Sequence, residues 1–262
     1  MVYTLLALYL AAMLPGGQGA PAIKPITVSA AVSLTDALTA VAEAYGRTGG
    51  GVRFNFAASN VLARQIVSGA PVDVFISADE AQMDVVAAAG LLKDGTRVNL
   101  LRNQLAVALP NDRSRTFKSF KEIADPAFKR IAIGDPAAVP VGVYAKQYLE
   151  KERLWDKVQA RIVPMGSARA TLAAVESGAA DAAIVYRTDV RLALNATVAW
   201  VVPIDVGPRI LYPGAIIRTT AVPDESKRFL DYLLGDPAAR IFERFGFAMA
   251  PASAKAPARQ AF

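Results

Sequence analysis

The chain has 262 residues, 53% of them hydrophobic and 20% charged, which is the composition of a globular protein with room for one large domain or two small ones. It contains no Cys and no His, which excludes disulfides, zinc–thiolate and iron–sulfur sites, a cysteine nucleophile, the Ser-His-Asp arrangement and HExxH zinc sites. Its formal net charge of +6 admits nucleic acid, a membrane surface or a small anion as partner.

Val2 to Leu14 form an apolar run shorter than the roughly 20 residues of a membrane span, and Pro15, Gly16 and Gly17 break it. Ala20 and Ala22 are small residues at the two positions that a signal peptidase reads, so residues 1–22 are read as a cleaved secretory signal, although no Lys or Arg precedes the run. No later run reaches the length of a membrane-spanning helix. The expectation is a periplasmic protein that is secreted by a cleaved signal and not lipid-anchored. Residues 251–262 are Ala- and Pro-rich and are expected to be a disordered tail.

Ile26 to Ala31 reads as a strand, followed by a helix with Leu34, Leu38, Val41, Ala42 and Tyr45 on one face. Val52 to Phe56 is a second strand, leading to a helix through Leu62 and Ile66. Val72 to Ser77 is a third, before a helix over Met83 to Ala89 that Gly90 ends. Gln104 to Leu109 is a strand stopped by Pro110, and residues 111–130 carry no strong pattern. Ile131 to Ile133 is a short strand, and a helix starts near Val141. Further strands are expected over Ala182–Tyr186, Val198–Ile204 and Gly214–Arg218, before two helices separated by Gly235, Asp236 and Pro237. This alternation predicts an α/β protein with mostly parallel sheets flanked by helices, divided between two small lobes.

Four strand segments run into small residues and then a helix start, around Ser33, Ser59, Val141 and Ser167–Ala168. Helix capping alone accounts for any one of them. Repetition points further, because helix N-termini present free N–H groups, and ligands of open α/β sheets lie at the C-terminal ends of strands. Spacing does not say whether the four converge.

Several stretches together resemble the periplasmic molybdate-binding proteins of molybdate ABC importers. They are Ala30 to Thr35 (AAVSLT), Phe56 to Gln65 (FAASNVLARQ), Gly69 to Asp79 (GAPVDVFISAD), Gly134 to Pro136 (GDP), Val139 to Lys146 (VPVGVYAK), Ala183 to Tyr186 (AIVY) and Arg244 to Phe247 (RFGF). The resemblance spans nearly all of residues 26–249. It implies the two-lobed periplasmic binding protein fold, with two crossing strands joining lobe I (23–105 and 212–250) to lobe II (106–211). It implies a molybdate or tungstate ligand held by Ser33 and Ser59 through hydroxyl and backbone N–H, by Val141 and Ala168 through backbone N–H, and by the Tyr186 phenol. Val141 stands where the family often has Ala, Ala168 where it often has Val, Asn60 replaces a hydroxyl residue, and Val32 is bulkier than the usual Ala. The implied partners are an ABC permease and its ATPase in the inner membrane. The implied protein is a monomer that is no enzyme, binds no nucleic acid, needs no cofactor and touches molybdenum only as its oxyanion. Lobe closure about hinges near 105–108 and 210–214 is the implied mechanism.

Other readings stay beside this one. Tyr186 also suits a core aromatic, and Arg64, Lys146 and Arg169 suit surface charges or long-range steering of an anion. Asp73, Asp79 and Glu80 lack the spacing of a metal site. A binding protein for sulfate or phosphate is the nearest alternative, and a carboxylate-dependent hydrolase a more distant one.

Overall fold

The computed structural model describes residues 24–251. The signal expected over 1–22, and all but the first residue of the tail expected over 251–262, lie outside the described residues.

Two mixed sheets flanked by helices form two lobes. The first lobe begins with β1 (Ile26–Ala31), α1 (Thr35–Gly46), β2 (Val52–Ala57), α2 (Ser59–Val67), β3 (Val74–Ile76), α3 (Glu80–Ala88) and β4 (Val98–Asn103). The chain then crosses into a second lobe of β5 (Leu105–Pro110), β6 (Ile131–Gly134), α4 (Pro140–Lys151), α5 (Trp155–Val158), β7 (Ile162–Met165), α6 (Ala168–Glu176), β8 (Ala182–Tyr186), α7 (Arg187–Val190) and β9 (Ala196–Val201). It returns through β10 (Ile210–Ile216), α8 (Pro223–Leu234), α9 (Asp236–Arg244) and β11 (Ala248–Met249). The strand orders are β11-β4-β10-β3-β1-β2 in the six-stranded sheet and β7-β6-β8-β5-β9 in the five-stranded sheet.

The parallel character expected of the sheets is confined to part of each. β1 pairs in parallel with β2 and β3, and β6 with β7 and β8. β5 runs antiparallel to β8 and β9, and β10 antiparallel to β3 and β4. A chain that must leave and re-enter a lobe enters each sheet against the grain of its βαβ units, and the sheets are mixed for that reason.

The strand sequences match their surroundings. All six residues of β5 are buried, the continuous apolar run of a strand covered on both faces. The stripe on α1 buries Leu38, Val41 and Tyr45, and the Tyr45 ring meets Phe229 of α8 edge-on at 5.1 Å. β4 was not expected, and β10 starts four residues earlier than the pattern predicts. Pro213 lies inside β10, beside a register shift between Tyr212 and Pro213, so a proline that reads as a strand boundary is carried by a bulge.

Residues 111–130 hold two short 3-10 helices, over Asn111–Arg113 and Phe120–Ala124. Only Gln104 separates β4 from β5, and residues 202–209 make the return crossing. The Gln104 side-chain amide donates to the Val202 carbonyl at 2.9 Å, tying the two crossings together.

Candidate functional site

The parallel strands of both sheets end on the same cleft, and a small cavity lies there. Its lining includes Ala31 at the end of β1, Val32 and Ser33 just after it, Ala58 and Ser59 after β2, and Ala78 after β3. From the other lobe come Val139, Pro140 and Val141 at the start of α4, Ala168 at the start of α6, and Tyr186 at the end of β8. All five residues singled out from the sequence, Ser33, Ser59, Val141, Ala168 and Tyr186, are brought together on one cavity. Arg64, Lys146 and Arg169 are not among its lining residues.

Each helix start leaves donors for the cavity. In α2 the first intrahelical bond is made by the Val61 N–H to the Ala58 carbonyl at 2.9 Å, which leaves the Ser59 and Asn60 N–H groups ahead of it. In α4, Pro140 at the first position has no N–H, the Gly142 N–H returns to the Val139 carbonyl at 2.9 Å, and Val141 is left between them. In α6, Ser167 caps the helix by accepting the Ala170 N–H at 3.1 Å, so Ala168 and Arg169 carry the free N–H groups. Capping thus leaves donors free in α6: the serine takes one N–H and leaves two.

Gly142 explains how α4 comes so close. Its backbone packs against the Gly134 carbonyl at the end of β6, and a Cβ at 142 would collide with that carbonyl. A Cβ at Gly134 would in turn lie 2.8 Å from the Gly142 nitrogen.

The side-chain donors are buried. Ser59 is 1% exposed, and its Oγ accepts the Ala78 N–H at 2.9 Å. Tyr186 is 1% exposed, and its hydroxyl has no hydrogen-bond partner among the described residues. Burial, and then the neighbouring Tyr212 and Tyr144 hydroxyls, push the Tyr186 phenol well above its ordinary value, so it stays protonated as a donor. No lining residue carries a carboxylate. A pocket of neutral donors suits an anion without protons, and an O–H brought into it meets donor against donor.

The other candidates have structural partners. Asp73 accepts from the Thr27 N–H at 2.7 Å and the Thr220 hydroxyl at 2.6 Å. Asp79 caps α3 by accepting the Gln82 N–H at 2.9 Å. Lys146 lies 3.6 Å from Glu150 and over the Trp155 ring. Arg169 forms an ion pair with Asp36 of the opposite lobe.

Three residues behind the cavity were not anticipated. Tyr212 of β10 meets Ser33 Oγ at 3.2 Å, and Asn103 of β4 donates to the Tyr212 oxygen at 3.1 Å. Asp189 of α7 is 1% exposed, with one carboxylate oxygen that has no partner among the described residues. Burial pushes its carboxyl up to about 7, against a smaller lowering by the Arg169 guanidinium. Asn103 and Tyr212 are separated by 109 residues, so no local pattern joins them.

A family model described as bacterial extracellular solute-binding protein matches residues 26–248. The molybdate-binding protein of Escherichia coli K12 is 38% identical over 229 residues, which is 85% of this chain and 88% of the relative. The solved periplasmic molybdate-binding protein of Azotobacter vinelandii superposes with a TM-score of 0.77 at 26% identity, covering 86% of this chain and 100% of that one. A sulfate-binding protein of Mycobacterium tuberculosis superposes with a TM-score of 0.72 at 16% identity, covering 85% and 86%, and shares the fold alone.

Proposed function

From the premise that this chain belongs to the bacterial extracellular solute-binding proteins, we propose that it captures molybdate in the periplasm and delivers it to an ABC importer. It is a substrate-binding protein of a molybdate transporter, and the permease and its ATPase are its partners. Tungstate, with the same charge and shape, is taken as a second ligand. The protein acts as a monomeric binder, not as an enzyme, after export by the signal over residues 1–22.

The observation that carries this reading is one cavity at which Ser33, Ser59, Val141, Ala168 and Tyr186 meet, with donors from both lobes. We assign these five as the molybdate ligands. Lobe I is taken as residues 23–105 and 212–250 and lobe II as 106–211, apart from Leu105, which pairs in the five-stranded sheet, and Ile210 and Leu211, which pair in the six-stranded sheet. Ser33 and Ser59 then come from lobe I, and Val141, Ala168 and Tyr186 from lobe II. Molybdate is a dianion at neutral pH with acceptor oxygens only, and it meets a site of donors.

The magnitudes are sufficient. About seven charge-assisted hydrogen bonds at roughly 1.5–3 kcal/mol each give a gross gain of about 10–20 kcal/mol. Association and ordering oppose this by about 4–15 kcal/mol, so micromolar to nanomolar binding needs no salt bridge. Sulfate has shorter bonds from its central atom and is rejected by size, which requires a rigid cavity.

Calorimetry of the purified protein with molybdate, tungstate, sulfate and phosphate tests the reading. Saturable heat with molybdate and tungstate is expected. Heat with sulfate but none with molybdate would transfer the site to the other anion, and silence with all four would end the reading.

A further inference from the structure

Two serine hydroxyls face the cavity, and each is oriented from behind. Ser59 Oγ accepts the Ala78 N–H at 2.9 Å, which leaves its single proton for the cavity. At Ser33 the partner is the Tyr212 hydroxyl at 3.2 Å, and two hydroxyls by themselves leave the direction open.

The rest of the network closes it. Asn103 Oδ1 accepts the backbone N–H of Gln104 at 2.8 Å. A backbone N–H only donates, so this bond fixes which end of the Asn103 amide is oxygen. The amide nitrogen then faces outward and donates to Thr188 Oγ1 at 2.9 Å and to the Tyr212 oxygen at 3.1 Å. Tyr212 is an acceptor from Asn103, and its own proton is directed onward. The phenol is the more acidic hydroxyl of the Tyr212–Ser33 pair, which favours Tyr212 as the donor and Ser33 as the acceptor. The Ser33 proton is left for the cavity, as at Ser59. Ser33, Asn103, Thr188 and Tyr212 are all buried, where chains of hydrogen bonds polarise one another.

We propose that Asn103 and Tyr212 are positioning residues that hold Ser33 as a donor toward the bound oxyanion, and that this polarity disfavours oxyanions still carrying a proton. The proposal rests on the molybdate reading of the same cavity and adds the source of its discrimination. An O–H arriving at Ser33 needs an acceptor. For Ser33 to turn its proton back onto the Tyr212 oxygen, which already accepts from Asn103, Tyr212 must give up its own donation to Ser33. Phosphate near neutral pH carries such an O–H; molybdate does not.

A double-mutant cycle read by calorimetry with molybdate tests this on the full chain. Tyr212→Phe keeps the ring, which packs at 5.9 Å from Tyr186 and edge-on to Phe247 at 5.6 Å, and removes only the hydroxyl. It is expected to weaken molybdate about tenfold in the parent protein, the size of one hydrogen bond. In a Ser33→Ala background the same change should cost less than about twofold, because Tyr212 acts through Ser33. The ratio of molybdate to phosphate affinity should fall in Tyr212→Phe. Equal losses in both backgrounds, or no loss in either, would overturn the relay. Should Tyr212→Phe fail to fold, Asn103→Ser, which withdraws the donor, is run through the same cycle and judged by the same non-additivity. If the parent protein gives no heat with molybdate, the ligand assignment itself falls and the relay with it, a result distinct from additivity.

Discussion

Arg169, in the first turn of α6, forms an ion pair with Asp36, in the first turn of α1, so a guanidinium of one lobe is tied to a carboxylate of the other beside the cavity. The two residues are 133 positions apart. Their side chains are 33% and 44% exposed, which places the pair where water and salt screen it.

Removing that tie by Arg169→Ala is expected to speed molybdate release by at most about fivefold, the range of a half-exposed pair. The change should shrink further at high salt. Stopped-flow dissociation at two ionic strengths measures it; a release rate unchanged at low salt would show that the pair does not help hold the two lobes around the anion.

Ser59→Ala should act twice. It deletes a donor to the oxyanion, and it leaves the buried Ala78 N–H without its acceptor. The unliganded protein is expected to lose about 1–3 kcal/mol of stability, and molybdate affinity to fall about tenfold or more. Denaturant melts without ligand, beside titrations with it, separate the two effects. Unchanged affinity would take Ser59 out of the site.

Gly142→Ala should push the start of α4 away from β6, because the new methyl collides with the Gly134 carbonyl. The displacement carries the Val141 N–H with it. A stability loss of about 1–3 kcal/mol is expected, with weaker molybdate binding. Gly166→Ala is the control: nothing lies within 4 Å of a Cβ at that position, so it should be close to neutral. Equal behaviour of the two variants in a thermal melt would refute the close approach.

Asp189 gives the protein a pH response that its lack of histidine would not suggest. Its carboxyl is raised by burial from 3.8 to about 7, so between those values the folded protein binds a proton that the unfolded chain has released. Stability from this group is therefore greatest below the unfolded value. It declines as pH rises, and the full penalty of about 4 kcal/mol is present above the folded value. Asp79 is shifted up by burial too and adds to the same trend. Asp189→Asn should flatten the decline in melting temperature between about pH 5 and pH 8. A parent protein whose melting temperature rises steadily across that interval would contradict the assignment.

How legible the site was depends on the kind of contact. The strand-to-helix passages at Ser33, Ser59, Val141 and Ala168 show in the sequence because small residues and helix-start residues are local signals. Their meeting was not legible, since it depends on how two sheets face one another. Tyr186 illustrates the difference: at the end of an apolar strand it reads equally well as core, and only its unpartnered buried hydroxyl separates the two readings. Asn103, Tyr212 and Asp189 left no local trace at all. Asn103 lies in β4, which the pattern missed, and Tyr212 precedes a proline that masks the start of β10. The βαβ units and the crossing strand β5 follow from the apolar pattern, whereas β4 does not, and β10 is legible only beyond Pro213.

The bond from Gln104 to the Val202 carbonyl makes a single pivot of two crossings. In the lobe closure that the family resemblance implies, this tie makes the two crossings turn together. The cavity and the Asp36–Arg169 pair lie out along the lever. With Ser33 and Ser59 on one arm and Val141, Ala168 and Tyr186 on the other, a small rotation parts the two groups of donors in one stroke. On the proposed ligand assignment, the anion is then either gripped from both sides or left with half its donors, and cargo transfer becomes a question of angle.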